Sequence, residues 1–160
     1  MYDPEEPAAA RLVEYQANRL QELIGELHNC CRDRIYLEAK RFNLPPAEIK
    51  CLLAFNGHRY FAGREVAALL EVAKSRATVI LDSLERKHLV QRVADPNDGR
   101  VKLASLTPAG HKKVQEIEAF AFSIHLQFLE TIEPARRSTI IAALEILGHS
   151  MQTIKMRLQQ

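Results

Sequence analysis

Between Val72 and Arg92 the chain changes period, and that change limits what it can fold into. Ala77, Ile80, Leu81 and Leu84 recur at three- and four-residue steps, so they share one face of a helix. Lys74, Ser75, Arg76, Val79 and Ser83 fall largely off that face. After Lys87-His88 the spacing becomes alternating, and Leu89-Val90-Gln91-Arg92-Val93-Ala94 reads as a strand. Asp95-Pro96-Asn97-Asp98-Gly99 is dense in turn formers, and Arg100 to Leu106 alternates again. A helix therefore runs straight into a β-hairpin.

The preceding residues set this helix in context. Gly63 to Leu70 predicts a short helix with Val66, Leu69 and Leu70 inward. Glu71-Val72-Ala73 is a tight connection to the next helix. Two helices joined this way match a helix-turn-helix, although the usual turn glycine is missing. Upstream, Asn43-Leu44-Pro45-Pro46 breaks the pattern. Ala47 to Asn56 then predicts a helix burying Ile49, Leu52, Leu53 and Phe55, with Gly57 as its C-cap. His58 to Ala62 has room for a turn and one short strand. A basic hairpin directly after a helix-turn-helix is a wing.

Long helices flank this block. Val13, Ala17, Leu20, Ile24, Leu27, Cys31, Ile35 and Phe42 keep a stripe from about Ala8 to Phe42. Thr107-Pro108 is a hydroxyl N-cap followed by proline at the first helical position, and that helix runs to about Glu130. Pro134 starts another, ending near Leu158. The stripes are wider than a small domain can bury alone and call for a partner helix or a second subunit.

The chain has 160 residues, enough for one domain with a core plus extra helices. Its net charge of +2 is unevenly divided. Residues 1–43 carry 6 basic and 8 acidic side chains, residues 44–102 carry 10 and 7, and residues 103–160 carry 6 and 5. The middle segment is thus the distinctly basic one, which suits a polyanion. No apolar run reaches the roughly 18 residues of a membrane span. The acidic N-terminus lacks the apolar core of a secretory signal, so the expectation is a soluble, cytoplasmic protein. Three cysteines, Cys30, Cys31 and Cys51, do not make a disulfide framework. Nucleophile elbow, Walker, Rossmann and paired-carboxylate patterns are missing, so no enzyme is expected.

AKSRATVILDSLERKHLVQR, followed by DPNDGR and by Leu106, Thr107 and Gly110, resembles the MarR family of winged-helix transcription regulators. The likeness rests on Lys74, Ser75, Thr78, Asp82, Leu84, Glu85, Leu89, Val90 and Arg92 in the helix and first strand. Asp95, Pro96, Asp98 and Arg100 carry it at the wing tip. The resemblance implies a mainly α fold with a small β-hairpin wing. Residues 44–106 would be a winged helix-turn-helix DNA-binding domain, and residues 1–43 and 107–160 would be dimerisation helices. It implies a homodimer on a palindromic double-stranded DNA operator, acting as a repressor released by a small lipophilic or phenolic effector. No cofactor is implied. The chain departs from the family at Ala73, where a capping hydroxyl is common, and at Val79, a common polar position. His88 replaces the usual glycine, and Asn97 or Gly99 stands where the wing tip often carries arginine.

On this reading Ser75, Arg76 and Val79 are candidates for base edges. Arginine can fork onto guanine, serine can take either partner, and valine can touch a thymine methyl. Lys74, Arg64, Thr78, Arg86 and Lys102 suit phosphates. Ser83, Asn97 and Arg100 complete the expected DNA face, with Asp95 and Arg100 pairing across the wing. Arg32, Arg34, Tyr36, Arg59 and Tyr60 are candidates for an effector anion. The residues leave two alternatives open. One is a thiol- or metal-responsive sensor, given Cys30, Cys31 and the His28/Cys31 spacing, with Cys31 and Cys51 otherwise expected as buried small hydrophobes. The other is a protein-interaction module with weakened DNA binding.

Overall fold

The computed structural model describes residues 8–95 and 102–159. Its elements are α1 (Ala8–Phe42), α2 (Pro46–Ala54), β1 (Phe61–Ala62), α3 (Gly63–Leu70), α4 (Lys74–Arg86), β2 (Val90–Ala94), β3 (Lys102–Leu106), α5 (Pro108–Thr131) and α6 (Pro134–Leu158). The mainly helical fold with a small wing is as the sequence predicts. The chain forms two compact units, one up to Val114 and one from Gln115 onward.

In the first unit the three strands form one antiparallel sheet in the order β1-β3-β2. Val90 pairs with Leu106, Arg92 with Ala104 and Ala94 with Lys102. The short β1 adds to the hairpin through Phe61 opposite Ala104. Leu52, Leu84, Val90 and Cys51 are fully buried in this unit's core, joined by Ile49, Ile80, Leu81 and Leu106. Phe55 and Phe61 meet edge to face, with centroids 5.0 Å apart.

Three helices end by the same device. Asn43, Glu71 and His88 each have positive φ, at 51°, 56° and 57°. After each, the next N–H reaches back over the last turn: Leu44 to the Ala39 carbonyl at 3.1 Å, Val72 to Ala67 at 3.0 Å and Leu89 to Leu84 at 3.0 Å. In the last two cases the left-handed residue also donates, Glu71 to Ala68 at 3.1 Å and His88 to Glu85 at 2.9 Å. This is the Schellman closure, which normally places glycine at the left-handed position. The missing glycines in the helix-turn-helix and before the wing therefore mark real left-handed turns held by other residues. Leu84 and Leu89, the apolar pair that accompanies such a closure, are both buried.

Several local expectations need correction. Leu69 is exposed, and Ala67 is buried beside Val66 and Leu70. At about 100° per residue the centre of the buried arc lies between Val66 and Ala67, and Leu69 falls outside it. Leu53 is only half-buried. The second helix begins at Pro46 and stops at Ala54. Its cap is Phe55 in the right-handed region, while Gly57, at φ 81°, belongs to the following turn. Cys31 is exposed along with Cys30, because the α1 face that carries it is uncovered in the single chain. Of the stripe, Val13, Leu20, Leu27 and Ile35 stand exposed on α1, while Ile24 and Phe42 are half-buried.

The wing is locked at its base by Thr107. Its N–H donates to the Leu89 carbonyl at 3.1 Å and its hydroxyl donates to the His88 carbonyl at 2.6 Å. The same hydroxyl oxygen accepts the Gly110 N–H at 3.0 Å, capping α5 as the sequence predicts. Gly110 has no choice of side chain: a Cβ there would collide with the Leu89 carbonyl oxygen and lie 3.2 Å from the Leu106 side chain. Gly110→Ala is expected to destabilise the fold by at least about 3 kcal/mol, because backbone rather than a flexible side chain must move. His88→Gly is expected to be neutral or stabilising by up to about 1 kcal/mol, since it relieves a left-handed non-glycine residue. Urea denaturation of both variants checks the opposite signs.

Candidate nucleic-acid interface

α4 is built as a two-sided element. Ala77, Ile80, Leu81 and Leu84 are buried, while Lys74, Ser75, Arg76, Thr78, Val79 and Arg86 are exposed and Ser83 is half-buried. At about 100° per residue, Ser75, Val79 and Arg86 lie directly opposite the buried arc. Thr78, Asp82 and Glu85 take one flank, and Arg76 and Ser83 take the other. Val79, 53% exposed, is the large apolar side chain on this polar ridge. Ala73 starts the helix without a side-chain cap, so the first N–H groups of α4 gain no help from that residue. Thr78 donates its hydroxyl proton to the Lys74 carbonyl at 3.1 Å. Arg64, in the first turn of α3, is exposed, as is Lys102 at the start of β3. Asn97 and Arg100, and with them the Asp95–Arg100 pair, lie outside the described residues.

Three ion pairs in two groups restrict the orientation of α4, and residue spacing announces none of them. On the wing side, Arg92 of β2 binds Asp82 through Nη2, and its Nε lies 3.5 Å from Glu85 Oε2. The carboxylates are one turn apart on the same flank, so one guanidinium spans both. All three side chains are partly solvated, and such a bridge is worth about 1 kcal/mol or less. Its effect is to fix the angle between helix and wing. At the C-terminal end, Lys87 Nζ lies 2.6 Å from Glu48 Oε2 of α2. The Glu48 side chain is 6% exposed and that of Lys87 37%. Glu48 sits 39 positions from Lys87, so no local pattern announces the contact.

A third charge device positions α3. The Ala62 N–H donates to Glu65 Oε2 at 2.6 Å, half of a capping box in which alanine replaces the usual hydroxyl residue.

The other expected site residues are more scattered. The Arg59 guanidinium lies 5.6 Å from the Tyr60 ring centroid. Arg32 and Tyr36 are exposed one turn apart on α1, and Arg34 pairs with the buried Glu38 at 3.1 Å. Burial, and secondarily the nearby Glu48 carboxylate, push the Cys51 thiol up to about 12. Among the described residues no three His, Cys, Asp or Glu side chains gather as metal ligands. No helix among them is long and apolar enough to cross a membrane.

Lys87→Met strands the Glu48 carboxylate in the core. The expected cost is about 3 kcal/mol, at the low end for a broken buried pair because Lys87 is partly solvated. Adding Glu48→Leu to Lys87→Met is expected to recover most of it, which thermal unfolding of the single and double variants measures.

Comparison with known proteins places these elements. The model described as MarR family matches residues 42–101, from the end of α1 through β2. The HTH-type transcriptional repressor MdtR of Bacillus subtilis (strain 168) is 33% identical over 102 residues. That alignment covers 62% of this chain and 66% of the relative, so the chain spans just under two thirds of MdtR. A MarR family protein from Bacillus stearothermophilus superposes with a TM-score of 0.77 at 19% identity, over 87% of this chain and 97% of that one. A mutant of S. aureus MepR bound to an oligodeoxyribonucleotide superposes with a TM-score of 0.66 at 18% identity, over 82% and 97%. None of these relatives is named as an enzyme. The matched segment carries the two-sided α4 and its ties to the core, and over it the chain is similar to the MarR family, while the solved structures share the fold of the flanking helices as well.

Proposed function

We propose that this protein is a sequence-specific double-stranded DNA-binding transcription regulator that works in the cytoplasm as a homodimer. It represses transcription and is released by a small lipophilic or phenolic effector. The observation that carries the reading is the exposed face of α4. One side of the helix is sealed into the core, and the other offers hydroxyls, cations and one aliphatic group at the spacing of a major-groove reader. Ser75, Arg76 and Val79 read base edges. Lys74, Arg64, Thr78, Arg86 and Lys102 hold phosphates, with Ser83, Asn97 and Arg100 alongside. The name of MdtR as a repressor and the oligonucleotide bound to MepR support the same role.

Residues 44–106 form the DNA-binding part and residues 1–43 and 107–160 the dimerisation part. The support is apolar surface: α6 has no buried residue, although Ile140, Ile141, Leu144, Ile146, Met151 and Ile154 lie along it. A second copy is the natural cover for such stripes, since its own are the same. Arg32, Tyr36, Arg59 and Tyr60 are the effector candidates, with the Arg59–Tyr60 stack an apt surface for an aromatic anion.

Fluorescence anisotropy on DNA flanking the gene tests the reading. The expected result is sequence-preferring, salt-dependent binding by a dimer. Equal affinity for random DNA at low salt would overturn it. Arg76→Ala is expected to cost about 1–3 kcal/mol at one base pair and to relax preference there. Deoxyuridine in place of the thymine under Val79 removes only a methyl group, so its penalty is expected to vanish in Val79→Ala.

One specific observation bears on the thiol-responsive alternative. Cys30 and Cys31 are exposed in the single chain, whereas Cys51 is buried with a raised pKa. A thiolate is the reactive form, so Cys51 is expected to resist alkylation at pH 8 until the protein unfolds. Because the unfolded thiol ionises near its ordinary value of 9.0 and the folded one near 12, this group also lowers stability as pH rises between them. Mass mapping of alkylated peptides, with and without denaturant, checks the first expectation.

A further inference from the structure

We propose that Asn56-Gly57, in the turn between α2 and β1, is a site of spontaneous modification, where the Asn56 side-chain amide is lost through a succinimide and replaced by aspartate or isoaspartate. This does not rest on the DNA-binding reading. The turn is held at its ends and open in its middle. Phe55 and Phe61 are buried and meet edge to face, while residues 56–60 between them are all exposed. The Asn56 N–H donates to the Leu53 carbonyl at 3.1 Å, and the His58 N–H donates to the Phe55 carbonyl at 2.9 Å. The amide between them differs: the Gly57 N–H has no acceptor among the described residues.

That nitrogen is the nucleophile the reaction needs, and the attack is intramolecular, so proximity is built into the chain. Gly57 also supplies the room. A Cβ built on it would meet nothing within 4 Å, and its φ of 81° belongs to glycine. With no side chain at Gly57, the peptide plane between the two residues can turn toward Asn56 Cγ at little cost.

The step balances with water as its only co-reactant. Gly57 N gives its proton to water or hydroxide as it bonds to Asn56 Cγ. The Cγ–Nδ2 bond breaks, and Nδ2 takes up a proton and leaves as ammonia. Water then adds to one of the two ring carbonyls, and the bond from that carbon to Gly57 N breaks. Opening at Cγ leaves aspartate. Opening at the main-chain carbonyl leaves isoaspartate, with the backbone routed through Cβ. Nothing is oxidised or reduced.

The other asparagines are protected by the same criterion. Asn18 and Asn29 lie inside α1, where the following N–H groups belong to the helical ladder. After Asn43 the Leu44 N–H is committed to the Ala39 carbonyl at 3.1 Å. Asn97 lies outside the described residues. Conversion of Asn56 places a carboxylate three positions from Arg59, whose guanidinium lies 5.6 Å from the Tyr60 ring centroid. The new charge competes with the ring for that cation.

The test ages the folded full-length chain in mildly alkaline buffer and maps its peptides by mass spectrometry. The Asn56 peptide is expected to change first, gaining the mass difference between an amide and an acid. In heavy-oxygen water it takes up one labelled oxygen. Much of the product is expected to be isoaspartate, read by enzymatic methylation with a labelled methyl donor. Asn18, Asn29 and Asn43 remain intact over the same period and convert only in denaturant, whereas Asn56 converts in both states. Gly57→Asp adds a Cβ beside the nucleophile in a residue that tolerates left-handed backbone, and is expected to slow conversion several-fold. Conversion of Asn56 only after unfolding overturns the proposal. So does a product that is aspartate alone, since water would then attack the side-chain amide directly. An unchanged rate in Gly57→Asp, or equal conversion of Asn43 in the folded chain, also overturns it.

Discussion

The peptide groups of Leu89 serve three elements at once. Its N–H closes α4 on the Leu84 carbonyl, and its own carbonyl accepts the Thr107 N–H and lies against Gly110 at the start of α5. Its side chain is buried with Leu84. The end of the helix, the start of the wing and the start of the next long helix are thus set by one residue's backbone. Apart from proline, no side-chain substitution at Leu89 removes the groups that make those bonds, whereas a methyl group at Gly110 forbids the approach that makes them possible. The clustering of Leu106, Thr107 and Gly110 in the sequence has its physical reason here.

Charge then refines what the backbone holds. Arg92 ties the wing to the flank of α4, and Lys87 ties the end of α4 to the buried Glu48. The two differ in kind. The Arg92 bridge is solvated and contributes little free energy, but it restricts an angle. The Glu48 carboxylate is out of water and depends on its partner, so its loss is felt by the whole unit. A helix held at its C-terminal end by one and along its flank by the other has few ways left to tilt.

Much of this was legible from residue spacing. The 35-residue α1 is legible with its bounds because eight stripe positions over that length leave the period in no doubt. The exposed face of α4 followed from its buried face. The eight residues of α3 carry too few turns to fix its phase, so spacing points Leu69 inward where the structure buries Ala67. Glu71 and His88 hid their left-handed turns because glycine, the local signal, is absent. The turns form anyway, since two backbone hydrogen bonds at each site outweigh a cost of about 1–2 kcal/mol. Glu48 with Lys87 was illegible because it is a tertiary contact between distant positions. Asp82, Glu85 and Arg92 stood out as motif residues, but only the structure supplies the reason that they occur together.

The same three residues bear on how the proposed DNA face works. Its acidic side chains partly cancel its cations, and residues 44–102 keep an excess of only three positive charges. Long-range attraction to a polyanion is correspondingly weak for one chain, and a dimer doubles it without changing its density. Affinity on such a surface comes from placing each cation at a phosphate rather than from their number. Spending Asp82 and Glu85 on Arg92 is consistent with that demand: the two carboxylates give up net charge and gain a fixed guanidinium. A surface built this way binds poorly wherever the phosphates are not in register. Weak non-specific attraction then becomes a source of discrimination, because most competing sites on a long duplex are out of register.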